Sequence, residues 1–102
     1  MIPRARTKIV ATVGPACHGV EKLTQLIQAG VSVFRINTAH GNEEQRNEVL
    51  KDIRTASDAV GIPVGVLVDL AGPKIRLGEL FCDPTNCQPG EVYRFVKKPK
   101  PE

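Results

Sequence analysis

The sequence lacks any apolar run that approaches the roughly 18 residues of a membrane span. Its first six residues also lack the apolar core of a secretory signal peptide. These two absences argue against a membrane protein and a secreted one. They predict a cytoplasmic protein without a membrane partner.

Cysteine is scarce and odd in number, with only Cys17, Cys82 and Cys87. Reduced thiols are therefore expected, as in other cytosolic proteins. Cys82 and Cys87 have the spacing of half a zinc site, but no second pair or nearby histidine completes the four ligands that zinc needs. The sequence predicts no zinc site there.

Positive and negative side chains balance along the chain except at its C-terminal end. Residues 94–102 hold four cations and one acid, which accounts for the whole formal net charge of +3. A basic segment can bind nucleic acid or anionic membranes. The stretch 97–102, however, has two prolines and no aromatic residue among its lysines. A solvated loop is expected, with no nucleic-acid partner.

Two common phosphate-binding motifs are missing. Residues 14–19 contain two glycines after an apolar run, but no Lys-Ser/Thr pair follows, as a P-loop would require. No G-x-G-x-x-G motif for a dinucleotide is present either. The sequence therefore excludes P-loop enzymes and dinucleotide-binding enzymes that use this glycine motif.

Apolar segments of two kinds alternate over the first two thirds of the chain. Runs at 8–13, 31–37 and 62–68 are continuous and rich in β-branched residues, which predicts buried strands. Between them, apolar residues recur at helical spacing, and glycines at 30 and 61 are placed to end the helices. The β-α-β-α-β order predicts an α/β fold with a parallel sheet covered on both faces and with successive strands side by side.

The pattern changes after Gly78. Pro84, Pro89 and Gly90 interrupt this part of the chain, and residues 92–96 have the composition of one strand in a different, β-rich element. This part of the chain is therefore predicted to belong to a different structural element from residues 1–78.

Polar residues follow two of the predicted strands. Arg35 and Asn37 lie at the end of the second strand and His40 lies just after it; Asp69 follows the third strand, shortly before Lys74 and Arg76. Ligands of α/β sheets bind at the carboxyl ends of the strands, where loops carry functional side chains. The sequence thus predicts a site at this rim of the sheet.

Three blocks, 7–16, 29–41 and 69–76, together resemble the N-terminal part of pyruvate kinase, and the likeness extends from about residue 6 to residue 78. The resemblance implies the first three β/α units of a TIM (β/α)₈ barrel over 1–78, truncated inside an inserted β-rich domain at 79–102. It also implies phosphoryl transfer from phosphoenolpyruvate to ADP, giving pyruvate and ATP in glycolysis. A chain of 102 residues is far shorter than the roughly 250 of such a barrel.

The resemblance assigns roles to the rim residues. Arg35 would bind the substrate phosphoryl group, as suits a charged planar fork, and it is expected to be catalytic together with Arg76. Asn37 and Asp69 would surround a monovalent cation. The nucleotide-binding set implied by the resemblance is Asn37, His40, Arg76, Thr12 and Pro15.

Purely structural roles are the alternative for four of these residues. Arg35 could pair with a carboxylate that only holds the rim. Asn37 could cap the helix that begins near Asn42, and Asp69 could accept backbone amides in its own loop. His40 could simply hydrogen-bond the backbone.

The chain departs from potassium-dependent members of the family at five positions. Those members usually have Ser, Thr, Lys, Glu and Thr at the positions of Ala39, Leu70, Ala71, Lys74 and Leu77. Ala39 and Leu70 offer no hydroxyl to a cation. The Lys74 ammonium would supply the positive charge that a bound potassium ion would otherwise bring. Potassium is therefore expected not to be required.

Other family features have no match in this chain. The ligands for Mg²⁺ would lie outside it, so the 102-residue chain alone is expected to be inactive. A homo-oligomeric parent, a tetramer, is also implied by the resemblance. Two alternatives stay open: a non-catalytic anion-binding module that uses Arg35 and Arg76, and a structural remnant without a ligand.

Overall fold

The computed structural model describes residues 5–80, 82 and 84–97. The chain divides into two compact units, Met1–Gly72 and Pro73–Glu102. The N-terminal residues 1–4, expected to lack a leader, and residues 98–102 of the basic C-terminal stretch lie outside the described residues. The domain boundary predicted after Gly78 stays a prediction.

The first unit is built on a three-stranded parallel sheet. Its strands are β1 (Ile9–Thr12), β2 (Val31–Asn37) and β3 (Gly65–Asp69), in the order β1-β2-β3. This confirms the predicted α/β class, the parallel pairing and the strand order. β3 begins three residues later than predicted, since the proline at position 63 has no N–H to donate to a ladder.

Two helices connect the strands. Helix α1 (Val20–Ala29) ends at Gly30, whose φ of 118° is the left-handed conformation predicted for it. Helix α2 (Glu43–Val60) begins with a capping box, in which the Asn42 side chain accepts from the Gln45 amide and the Gln45 side chain accepts from the Asn42 amide. The end of α1 and the start of α2 are therefore both set by the local sequence.

The core lies between the helices and one face of the sheet. Its largest fully buried side chains are Leu23 and Ile27 of α1, Phe34 of β2 and Ile53 of α2. Residues of both helices belong to this one core, as expected when successive crossovers have the same hand. Because side chains alternate along a strand, Phe34 faces this core and Arg35 faces the opposite way.

Within the described residues, the predicted covering of both sheet faces is observed on one face only. Val10 and Leu67, which pair with Val33 and Arg35 in the ladders, are 52% and 45% exposed. The reason is topological, because two successive crossovers of the same hand between neighbouring strands cover a single face of the sheet.

The second unit contains no helix or strand within its described part, 73–80, 82 and 84–97. The strand predicted over 92–96 is therefore wrong. A strand needs a partner ladder, and here the Gln88 amide instead donates to the Tyr93 hydroxyl across a local turn. Val92 and Phe95 remain 87% and 84% exposed.

Candidate functional site

The rim at the carboxyl ends of the strands carries an ion pair between Arg35 and Asp69. The Arg35 Nε donates to Asp69 Oδ2 at 3.1 Å, and Nη2 donates to the same oxygen. Nη1 donates to Thr12 Oγ1 at 3.2 Å. The three residues come from three different strands, and the parallel register brings them together.

This geometry leaves Arg35 able to bind a ligand. A guanidinium has five N–H donors, and the described residues accept three of them. The Arg35 side chain is 31% exposed and that of Asp69 is 45% exposed. Arg35 is therefore held from both neighbouring strands, and two of its N–H donors have no acceptor among the described residues.

Asn37 does not cap α2. Its Oδ1 accepts from the Ala39 amide at 3.0 Å, and its carbonyl accepts from the His40 amide at 3.4 Å. The helix is capped by Asn42 instead. Asn37 thus closes the turn that leaves β2, a local Asx arrangement typical of asparagine at such positions. The backbone-only alternative for Asp69 is also wrong, because its carboxylate accepts from Arg35.

Thr38 is a rim residue that sequence reasoning missed. Its amide and its hydroxyl both donate to the Asp69 carbonyl, at 3.1 and 2.8 Å. Its Oγ1 also accepts from the Ala71 amide at 2.9 Å. A hydroxyl residue just after a strand that ends in site residues was the available signal.

A cleft of about 440 Å³ lies beside the β2 exit. Pro15, Asn37 and His40, three of the five predicted nucleotide-binding residues, line it. Its walls include apolar Val13, Ile36 and Val49. Polar residues that sequence reasoning missed also line the cleft: His18, Gln45, Arg46, Glu48 and Asp52.

Thr12, the fourth of these residues in the first unit, contacts Arg35 rather than the cleft. Its carbonyl accepts from the Cys17 thiol at 3.3 Å, and Cys17 ends the short 3₁₀ turn Pro15–Cys17. This turn therefore connects one wall of the cleft to the ion pair.

Lys74 and Arg76 belong to the second unit and are exposed. Their roles stay predictions. All three cysteines are free. Over residues 5–80, 82 and 84–97, no group of three or more His, Cys, Asp or Glu side chains could hold a metal ion. None of the helices in that part of the chain is long and apolar enough to cross a membrane.

Known proteins resemble this chain closely. Residues 4–99 match the family model described as pyruvate kinase, barrel domain. Pyruvate kinase 2 of Synechocystis is 44% identical over 100 residues, which is 96% of this chain and 17% of the relative. Pyruvate kinase of Mycobacterium intracellulare is 46% identical over 89% of this chain and 19% of its own length.

Solved structures agree with these sequence matches. The crystal structure of Cryptosporidium parvum pyruvate kinase is similar with a TM-score of 0.67 and 41% identity, over 71% of this chain and 15% of that one. The chain thus spans about a fifth of the length of the curated relatives that it matches.

Proposed function

This chain belongs to the pyruvate kinase family, and from that premise we propose that it is part of an enzyme that transfers a phosphoryl group from phosphoenolpyruvate to ADP. The observation that carries the proposal is the Arg35 guanidinium, which Thr12 of β1 and Asp69 of β3 hold at the rim with donors left for an anion. Phosphoryl transfer depends on charge neutralisation and positioning, and a fixed guanidinium supplies both.

We further propose that the sheet is the first part of a (β/α)₈ barrel that continues into an inserted β-rich domain from residue 79. Both helices lie on one face of the sheet, as the outer ring of a barrel requires. The opposite face carries exposed Val10 and Leu67, whose burial in a closed barrel would be favourable.

Arg35 would bind the phosphoryl group of phosphoenolpyruvate and neutralise its charge. The Asp69 carboxylate fixes the orientation of the guanidinium, and the Thr12 hydroxyl holds a second nitrogen. A preorganised cation costs no rearrangement when charge shifts during the reaction. A structural ion pair was the alternative role for Arg35. In this proposal the same ion pair also supports catalysis, because it orients the guanidinium.

Asn37 and Asp69 frame the cation region of this proposal, and Lys74 substitutes for a potassium ion. Asn37 Oδ1 already accepts an amide, and Asp69 Oδ2 already accepts two Arg35 donors. With fewer free oxygens to coordinate a hard monovalent ion, a requirement for potassium is not expected.

The cleft next to Asn37 is the proposed nucleotide side. His40 and Pro15 line it. Arg76 is also proposed to be catalytic and to bind the nucleotide phosphates, a role that rests on the family resemblance alone. Thr12 would act on this side through Arg35. Mg²⁺ would neutralise phosphate charge when bound; no described group of side chains fits it, so its ligands are proposed to lie outside this chain.

The remaining parts of the proposal follow from family membership. The parent enzyme is proposed to be a cytoplasmic homo-oligomer, a tetramer, whose partners are phosphoenolpyruvate and ADP/ATP. Neither nucleic acid nor a membrane is among the proposed partners.

The test begins with the native protein that carries this sequence. Its intact mass is expected to be about five times the 11.1 kDa of this chain, given that the chain spans 19% of one relative. A lactate dehydrogenase-coupled assay should then show pyruvate formation by the native protein. The 102-residue chain alone should stay at the level of a boiled control. A native protein without turnover would refute the proposed activity.

A further inference from the structure

Thr38 connects the exits of β2 and β3. It is half-buried, and it is the first residue after β2. Its amide and hydroxyl place two donors on the Asp69 carbonyl, at 3.1 and 2.8 Å, which uses both lone pairs of that oxygen. The same hydroxyl accepts from the Ala71 amide at 2.9 Å.

These bonds fix the backbone on both sides of Leu70. One hydroxyl holds the carbonyl of Asp69 and the amide two residues later, so the turn after β3 has little freedom to rotate. Asp69 is thereby restrained twice, by Thr38 through its backbone and by Arg35 through its carboxylate.

The Thr38 hydroxyl itself has little capacity left for a ligand. A threonine hydroxyl has one donor and two lone pairs. The donor is given to Asp69 and one lone pair is taken by Ala71. A role in contact with substrate is therefore less suited to Thr38 than a role through its neighbours.

We propose that Thr38 is a positioning residue, which sets the Asp69 carboxylate and through it the Arg35 guanidinium for the phosphoryl group of phosphoenolpyruvate. This inference rests on the proposed function. It adds a residue that is not among the rim residues implied by the family resemblance. The chain of contacts is Thr38 to the Asp69 backbone, then the Asp69 side chain to Arg35.

The experiment compares Thr38→Val, which keeps the β-branched shape but loses the hydroxyl, with Thr38→Ser, which keeps the hydroxyl. Both are made in the native enzyme. The matched control is Thr24→Val in α1, because Thr24 is also half-buried and its hydroxyl also donates to a backbone carbonyl, that of Val20 at 2.7 Å.

We expect Thr38→Val to lower kcat/KM for phosphoenolpyruvate on the order of 10-fold, because a small misplacement of a binding group is costly in catalysis. Thr38→Ser should recover most of this loss. Thr24→Val should stay within about twofold of wild type, since it lies away from the rim. The KM for ADP should change little in Thr38→Val.

A double-mutant cycle separates positioning from a general structural role. If Thr38 acts through Asp69, Thr38→Val should have little further effect in an Asp69→Asn background. Additive losses, equal losses in the Val and Ser variants, or unchanged kinetics in Thr38→Val would each overturn the inference. An inactive wild-type enzyme would instead overturn the proposed function on which the inference rests.

Discussion

Replacing Arg35 with lysine tests the central contact of the site. Lysine keeps the positive charge, but its three donors sit on one nitrogen and cannot reproduce a planar fork. The native guanidinium donates through three separate nitrogens to Asp69 and Thr12. We expect Arg35→Lys in the native enzyme to lose this fixed orientation and the remaining N–H donors that are proposed to bind the phosphoryl group.

The structure separates the expected effect on catalysis from the effect on stability. One preorganised electrostatic contact is worth about 2–4 kcal/mol in the transition state, or roughly 30- to 900-fold in kcat/KM. The side chains of the pair are 31% and 45% exposed. An ion pair so accessible to solvent contributes about 0–1 kcal/mol to folding, so the free energy of unfolding should fall by less than about 1 kcal/mol.

Steady-state kinetics with phosphoenolpyruvate varied, together with urea unfolding, measure both quantities. If the contact strengthens in the transition state, kcat and kcat/KM should fall together. Arg54→Lys is the matched control, because Arg54 is an exposed arginine of α2. Kinetics close to wild type in Arg35→Lys would show that the guanidinium only holds the rim. An equal loss in Arg54→Lys would show that the loss is not specific to the Arg35 contact.

Three further predictions concern the cation, the second unit and α2. The native enzyme should keep its rate in buffer free of potassium and sodium at constant ionic strength, and Lys74→Glu should lower that rate. A strong potassium requirement in the native enzyme would refute the idea that the Lys74 ammonium takes the place of a potassium ion. The pKa of Tyr93 is raised above its ordinary value of 10.0, chiefly because its hydroxyl donates to Glu91. Protonated Tyr93 should thus stabilise the local turn below the ordinary pKa, and this contribution should be lost as the pH rises through the raised value. Absorbance titration at alkaline pH should show a midpoint that moves down in Glu91→Gln, and an unmoved midpoint would contradict the assignment. Finally, Asn42→Ala removes the cap of α2 and should cost about 1 kcal/mol in urea unfolding, whereas Asn47→Ala inside the same helix should cost no stability; equal effects would argue against the capping box.

Local chemistry made much of the first unit predictable from sequence. Gly30 and Gly61 end helices in the left-handed conformation because glycine has no Cβ to clash there. Continuous apolar runs mark the buried strands, and strands that follow one another in a β-α-β unit commonly lie side by side, as β1, β2 and β3 do. The rim residues Arg35 and Asp69 could likewise be identified, since both lie among the last three residues of their strands.

Tertiary structure alone decided how those residues are connected. Arg35 and Asp69 are 34 residues apart, and Arg35 and Thr12 are 23 apart, so only the register of three strands brings them into contact. The same register placed the Thr38 hydroxyl on the Asp69 backbone. Residues 92–96 form no ladder with any part of the chain that the structure describes, and their strand-like composition did not produce a strand. Side-chain type is local, but a hydrogen bond across the sheet depends on which strands pair and in what register.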